Sequence, residues 1–173
     1  VGGGFLALVL LGLLRHEMWR DEWQGWLIAQ ESDSLGDLFR RIRQEAHLPL
    51  WHLLLFGITR ITENPVVMQI FHGLVATLSV LVFARFAPFP RWQRIAFSLG
   101  YFPFYEYAIL SRNYALSVLF GLLFCVALSR RKTFAAILAL AGLAASSHQG
   151  FLVAGPLALY VVWKRIREAE GRA

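Results

Sequence analysis

From residue 66 to residue 86 the chain runs about 21 residues with no charge before Arg85. A helix of that length covers a hydrocarbon core of about 30 Å, so the pattern predicts a membrane span. Pro65 stands at its start, where a missing N–H costs little. Other apolar stretches occupy residues 5–14, 95–110, 115–128, 134–147 and 151–163. If each crosses once, the chain is an all-α, polytopic transmembrane helical bundle of about six spans. The first stretch is short and the chain opens Val1-Gly2-Gly3-Gly4, so it reads as the end of a truncated first span. Arg15-His16-Glu17-Met18-Trp19 follows it in place of a small-residue cleavage site, which argues against a signal-peptide core. Several stretches fall below about 20 residues, so the polar residues at their ends are expected at or below headgroup depth.

Between the first two spans the pattern changes. Leu35, Leu38, Phe39 and Ile42 recur at helical spacing, with Arg40, Arg41 and Arg43 on the other face. That is a basic amphipathic helix suited to the membrane interface. Ser34 followed by Asp37 resembles a capping box at its start. Trp19, Trp23 and Trp26 share one helical face, and tryptophan favours interfacial depth. Residues 48–61 are apolar but too few to cross, which predicts an interfacial or re-entrant helix with Trp51 and His52 near the headgroups. The organisation expected is one transmembrane domain over 1–173, itself a fragment, with an extracytoplasmic loop at 15–64 and transmembrane helices at 65–173. No internal repeat or low-complexity linker interrupts it.

Composition agrees with this pattern. The chain is 57% hydrophobic and 16% charged, against about a quarter charged for a soluble domain. The net charge of +6 would raise nucleic acid as a partner on a soluble protein. Here the cations sit at the ends of apolar runs. Arg85, Arg91 and Arg94 flank one connection, Arg130, Arg131 and Lys132 the next alternate one, and Lys164, Arg165 and Arg167 follow the last span. All three fall on one side if every stretch crosses once, and that side is expected to be cytoplasmic. Cys125 is the single cysteine, so it forms no internal disulfide and says nothing of compartment.

The same topology gathers the candidate chemistry on the opposite face. Asp21-Glu22 lies between Arg20 and Trp23, and Glu45 and His47 lie farther along the loop. An acid pair beside a membrane helix is solvated by default, and alternate residues such as Glu45 and His47 point apart on a helix. Glu106 and Arg112 stand within a long apolar region, where ionisable groups are expensive. They read equally as a self-neutralising structural pair or as functional groups. Tyr114 and His148 complete the candidates, although a histidine at a helix end is more often a packing residue. Gln69, His72, Gly73 and Ala76 line one face of the clearest span, as helix-packing residues do. Acids, histidines and arginines at one membrane face suit a reaction in which a carboxylate takes a proton and cations stabilise a departing phosphate.

At these residues the chain resembles the GT-C superfamily of membrane glycosyltransferases. In particular it resembles bacterial relatives of the dolichyl-phosphate-mannose protein mannosyltransferases and of the lipid A aminoarabinose transferases. Asp21-Glu22 follows the first membrane helix and precedes Trp23 and Trp26. Glu45-Ala46-His47-Leu48-Pro49-Leu50-Trp51-His52 is similar to the family's His-Pro-Pro-Leu-Tyr-Tyr segment, with Leu48 for the first proline and Trp51-His52 at the aromatic positions. Leu110-Ser111-Arg112-Asn113-Tyr114-Ala115-Leu116 resembles its Ser-Arg-x-x-Tyr-Ala-Leu stretch, and Ser147-His148 its later Thr-His. The likeness spans nearly the whole chain in order. It covers only the N-terminal part of such enzymes, which have more membrane helices and often a soluble C-terminal domain.

The resemblance implies inverting transfer of a sugar from a polyprenyl-phosphate donor to an acceptor on the extracytoplasmic face. It implies Asp21 as general base with Glu22 positioning it. Glu45 and His47 would orient the acceptor or a divalent metal ion, the one cofactor implied. Arg112 with Arg20 would bind the donor phosphate, and Glu106, Tyr114 and His148 are additional candidates. The partners implied are membrane lipid, the polyprenyl-phosphate sugar and a lipid, glycan or protein acceptor, in a multi-pass protein of the bacterial inner membrane. Two other classes remain open: a transporter or flippase fragment with Glu106, Arg112 and His148 on its path, and a non-catalytic membrane scaffold. A transporter would carry its polar residues near mid-membrane, whereas these fall at the outer ends of the expected spans.

Overall fold

The computed structural model describes residues 2–44 and 48–170, with side chains up to residue 167. Among the described residues the fold is all-α, with no strand. Nine helices follow one another there: α1 (Gly2–Leu13), α2 (Arg20–Gln30), α3 (Leu35–Gln44), α4 (Pro49–Thr59), α5 (Val66–Phe86), α6 (Arg91–Ser98), α7 (Tyr114–Ser129), α8 (Thr133–Ser146) and α9 (His148–Glu170). A single π-helical turn, Tyr101–Glu106, separates α6 from α7. Of these helices, α5 is the one both long and apolar enough to cross a membrane, and its bounds coincide with the stretch expected from the sequence.

Local chemistry sets the ends of α5. The Asn64 side chain accepts a hydrogen bond from the Val66 N–H at 3.0 Å and closes the first turn. Ala87 at the other end is extended because Pro88 follows it and disfavours the α conformation. Between these ends α5 is polar within and apolar without. Gln69, His72, Thr77 and Ser79 are buried, whereas Val66, Ile70, Leu74, Leu78 and Leu81 are exposed. Thr77 returns its hydroxyl to the Gly73 carbonyl at 2.7 Å, so that polar group is satisfied within the helix. α1 runs antiparallel to α5: Val9 abuts Gly73 near the start of α5, and Gly2 abuts Leu81 near its end. Gln69, His72, Gly73 and Ala76 thus form a packing face, as their pattern predicts.

The stretch 95–110 is not one helix. α6 stops at Ser98, and Pro103, which has no N–H, falls in the next turn. The backbone answers with i to i−5 bonds, Tyr107 N–H to the Phe102 carbonyl at 2.8 Å and Leu110 N–H to the Tyr105 carbonyl at 3.2 Å. Apolar composition alone gave no warning of this break.

The loop segment 15–64 is helical and docked. α4 begins at Pro49, a favoured first-turn residue, and packs on α2, α3, α5 and α8. Trp26, Ala29, Trp51, Leu55, Met68 and Leu116 form a core shared by α2, α4, α5 and α7. Trp51 and His52, expected at the headgroups, are therefore buried in protein. The Trp19, Trp23 and Trp26 face is divided as well: Trp26 enters the core while the other two stay exposed.

In α3, Leu38 and Ile42 are buried and Ser34 accepts the Asp37 N–H at 3.2 Å, as the capping pattern predicts. The reciprocal bond comes from the Asp33 N–H at 3.4 Å. The basic face is partly neutralised, because Asp37 pairs with Arg40 and, at 3.1 Å, with Arg41. These bonds, Arg40 first, hold the Asp37 carboxyl below its ordinary value of 3.8.

α7, α8 and α9 form a tight antiparallel group. α8 and α9 are separated only by Ser147, whose hydroxyl caps α9 through the Gly150 N–H at 2.9 Å. The Ser117 hydroxyl meets those of Ser146 at 2.8 Å and Ser147 at 2.6 Å, locking the three helices together. Gly150 allows this approach, since a Cβ there would lie 2.4 Å from the Leu143 carbonyl oxygen.

Two outcomes follow from these contacts. Gly150→Ala should destabilise the fold by about 1–3 kcal/mol, as overpacking does, whereas Gly57→Ala, in open space on α4, should be neutral or stabilising by up to about 1 kcal/mol. Thermal unfolding of the two variants checks the contrast. The Asp37 contribution to α3 should be intact above pH 3.8 and fade as the pH falls through its lower folded-state value. Amide exchange in α3 as a function of pH reads that loss, and Asp37→Asn should abolish the dependence.

Candidate functional site

The π-helical turn ends in a short non-helical link, Tyr107 to Asn113, that carries Arg112 to the first turn of α2. Two neighbouring carboxylates meet it and take different roles. Glu22 is fully buried, with 1% of its surface exposed. Its carboxylate accepts hydrogen bonds from His16 Nε2 at 2.8 Å, from the Trp19 N–H at 2.8 Å and from the Ser111 N–H at 2.7 Å. A buried charge needs such a set of donors. Glu22 thereby fastens the start of α2 to the link beside Arg112.

Asp21, one residue earlier, points away from that network. Its Oδ2 lies 3.1 Å from Arg112 Nη2, with side chains 58% and 28% exposed. The Arg112 guanidinium also lies 5.0 Å from the Tyr114 ring centre, a cation–π contact. The pair stands on a cavity of about 380 Å³. Gln24, Trp51, His52, Asn113, Tyr114 and His148 are among its walls. Gln24 and Gly25 share the α2 face of Asp21, three and four residues on. Gly25 faces Trp51 and Leu55 of α4, and a Cβ built there would meet the Trp51 indole at ordinary van der Waals distance, 3.4 Å from Nε1.

Compared with protein-family models, curated proteins and solved structures, this chain matches none.

The site therefore rests on its own geometry. Asp21, Arg112, Tyr114 and His148, spread over 128 positions of sequence from 21 to 148, line one cavity. Glu22 stands behind it as a structural tie. Arg20 is exposed at the start of α2 and Glu106 is half-buried in the π-helical turn; neither belongs to the cavity walls. Arg112 pairs with Asp21 and not with Glu106, the partner considered from sequence. Glu45 and His47 lie outside the described residues. Among the described residues no group of three or more His, Cys, Asp or Glu side chains converges.

Sequence reasoning passed over Gln24, Asn113 and Gln149. Gln24 had a signal, the i, i+3 spacing from Asp21, and Gln149 simply follows His148 at the start of α9. His72 is buried behind the cavity, its ring edge-on to Trp51 with centres 5.8 Å apart. Its polar neighbours are the backbone of Ala108 and Arg112. The arrangement offers a solvent-accessible carboxylate, a cation beside it, and amide, imidazole and aromatic groups around a space large enough for a sugar ring.

The two acids should separate cleanly on mutation. Glu22→Ala strands the Trp19 and Ser111 N–H groups and should cost on the order of 3 kcal/mol. Asp21→Ala breaks a partly exposed pair and should cost less than about 1 kcal/mol. Chemical denaturation of both variants provides the comparison.

Proposed function

We propose that the chain is the N-terminal part of a membrane glycosyltransferase that moves a sugar from a polyprenyl-phosphate donor to an acceptor on the extracytoplasmic face. The observation that carries this reading is the Asp21–Arg112 pair at 3.1 Å on a cavity walled by Trp51, His52, Tyr114 and His148. Membrane placement is supported by the inside-out character of α5 and by the exposed leucine, isoleucine and valine side chains of α1, α8 and α9. It is also supported by charge. Arg130 at the end of α7 lies 4.6 Å over the Phe86 ring at the end of α5, and Arg165 reaches Thr133 at the start of α8. The three basic clusters thus share one end, opposite the cavity, as the positive-inside rule requires of a cytoplasmic face. In this reading α1, α5, α7, α8, α9 and the broken 95–110 segment lie within the bilayer, and α2–α4 cover its outer face.

The chemistry is a single displacement. Asp21 takes the proton of the acceptor hydroxyl as its oxygen attacks the anomeric carbon. The carbon–oxygen bond to phosphate breaks on the opposite side of the ring, which inverts the configuration. The electron pair leaves on polyprenyl phosphate, whose charge Arg112 neutralises. In the resting site each of these two groups masks the other. A donor phosphate competes for the guanidinium and releases the carboxylate to act as a base. Trp51 and Tyr114 supply faces for the sugar, while Gln24, Asn113 and Gln149 supply hydrogen bonds to its hydroxyls. Glu22 acts only through position, by fixing Ser111 beside Arg112.

Asp21→Asn in the full-length protein, assayed with a polyprenyl-phosphate sugar, should lower transfer by about 10²–10⁴, the range for loss of a general base, with the folded fraction unchanged. Arg112→Gln should lower it as well, and Arg112→Lys less so. Wild-type transfer by Asp21→Asn would sink the assignment. A transporter would instead show substrate flux that depends on Arg112 without any covalent product.

A further inference from the structure

A second cavity, about 700 Å³ in volume, lies where α1 ends and α5 begins. Leu10 and Leu13 of α1, Trp23 of α2 and Gln69 and Ile70 of α5 are among its walls, and His16 and Glu17 of the α1–α2 link complete it. One turn farther along α5, Val9 of α1 packs on Gly73, where a Cβ would lie 3.0 Å from it. The two helices touch there, so the cavity is confined to their outer ends. His16 bonds one oxygen of Glu22, whose other oxygen takes the Ser111 N–H in the wall of the Asp21 cavity. Glu22 thus stands between the walls of the two cavities.

Gln69 is the group that calls for a ligand. It is 5% exposed, lines the cavity, and makes no hydrogen bond among the described residues. An amide carries two donors and an acceptor, and a buried one is normally paired. Thr77 and Ser79 on the same helix satisfy themselves on the α5 backbone at 2.7 and 3.0 Å. Gln69 does not. Glu17 is exposed and makes no ion pair among the described residues. Its carboxylate meets no lysine or arginine among the described walls of the cavity. The wall thus presents a free carboxylate, an indole and an unsatisfied amide, with no cation set against the acid.

These groups suit an ammonium that still carries hydrogens. The carboxylate offsets its charge, the indole attracts it as a cation, and the amide oxygen accepts an N–H. The amide N–H groups remain to donate to a phosphate oxygen on the same molecule. The other walls say what that molecule is. Leu10 and Leu14 on α1, and Val66 and Ile70 on α5, are exposed and spaced one turn apart, so each pair forms an apolar ridge beside the cavity. A soluble amine has no use for such ridges, whereas acyl chains do. We infer that this cavity binds a phosphatidylethanolamine of the outer leaflet, its ammonium among Glu17, Trp23 and Gln69 and its acyl chains along the two ridges. The inference rests on the membrane placement proposed above and is independent of the glycosyl-transfer reading.

The test uses the full chain purified in detergent and mixed with short-chain phosphatidylethanolamine, phosphatidylcholine or phosphatidylglycerol, with retained lipid counted by native mass spectrometry. The wild type should retain phosphatidylethanolamine over both others. Phosphatidylcholine keeps the positive charge but has no N–H to give, and phosphatidylglycerol has no ammonium. Glu17→Gln, at an exposed position, should weaken retention about fivefold with the unfolding temperature unchanged. Gln69→Leu should weaken it about as much while leaving the unfolding temperature unchanged or higher, because it removes an unpaired buried amide. Equal retention of the three lipids, a preference for phosphatidylglycerol, or undiminished retention in both variants would overturn the site. Displacement by an equimolar amount of glycerophosphoethanolamine, the headgroup without its chains, would overturn the lipid assignment in favour of a soluble amine. Alkaline carbonate extraction of native membranes separates this inference from its premise. Release into the supernatant would sink the membrane placement itself, whereas retention in the pellet without lipid preference would sink only this site.

Discussion

The Glu22 carboxylate is the interaction on which the arrangement depends. It is a charge removed from water, and such a group persists only where donors replace its hydration. His16, the Trp19 N–H and the Ser111 N–H supply them. The first two are local and set the turn between α1 and α2. The third reaches across 89 positions of sequence and holds the link before α7 against the first turn of α2. Asp21 and Arg112 are the immediate neighbours of Glu22 and Ser111. Their meeting is therefore a by-product of a buried bond beside them, and a partly exposed ion pair has no need to organise the fold by itself.

The apolar core works to the same end. Trp26 and Trp51 place α2 and α4 against α5 and α7, so the loop segment becomes a wall of the cavity. The three serines at the junction of α7, α8 and α9 fix the start of α9, and with it His148 and Gln149. The cavity is thus bounded by helix ends and by one short link. A site built from helix ends gathers backbone dipoles and polar first-turn residues without burying a charge along a helix flank.

Much of this was legible in the sequence, for reasons that differ by residue. α5 was visible because a long uncharged run admits few alternatives, and its ends carry Asn64-Pro65 and Pro88. Arg112 was visible because an arginine amid apolar residues needs a partner. Which acid it meets was not visible: Asp21 and Glu22 differ by about 100° on a helix, and Glu22 faces inward because His16, the Trp19 N–H and the distant Ser111 N–H hold it there. The break at Pro103 was hidden because a π-helical turn keeps the hydrophobic composition of a span while changing its hydrogen bonds. Trp51 and His52 were misplaced because residues suited to an interface are equally suited to a core when another helix covers them. The pairing of Asp37 with Arg40 and Arg41 was half visible, since i, i+3 and i, i+4 spacing announces it but a basic face draws the eye first.

The long reach of the Glu22–Ser111 bond has a consequence for biosynthesis. A ribosome working at about 5–20 residues per second delivers Ser111 roughly 4–18 s after Glu22, since 89 positions separate them. During that interval the Glu22 carboxylate has only its local partners, and Asp21 lacks Arg112. The two sides of the cavity are made in separate episodes of translation, so the cavity takes shape only when the late segment docks on the early one.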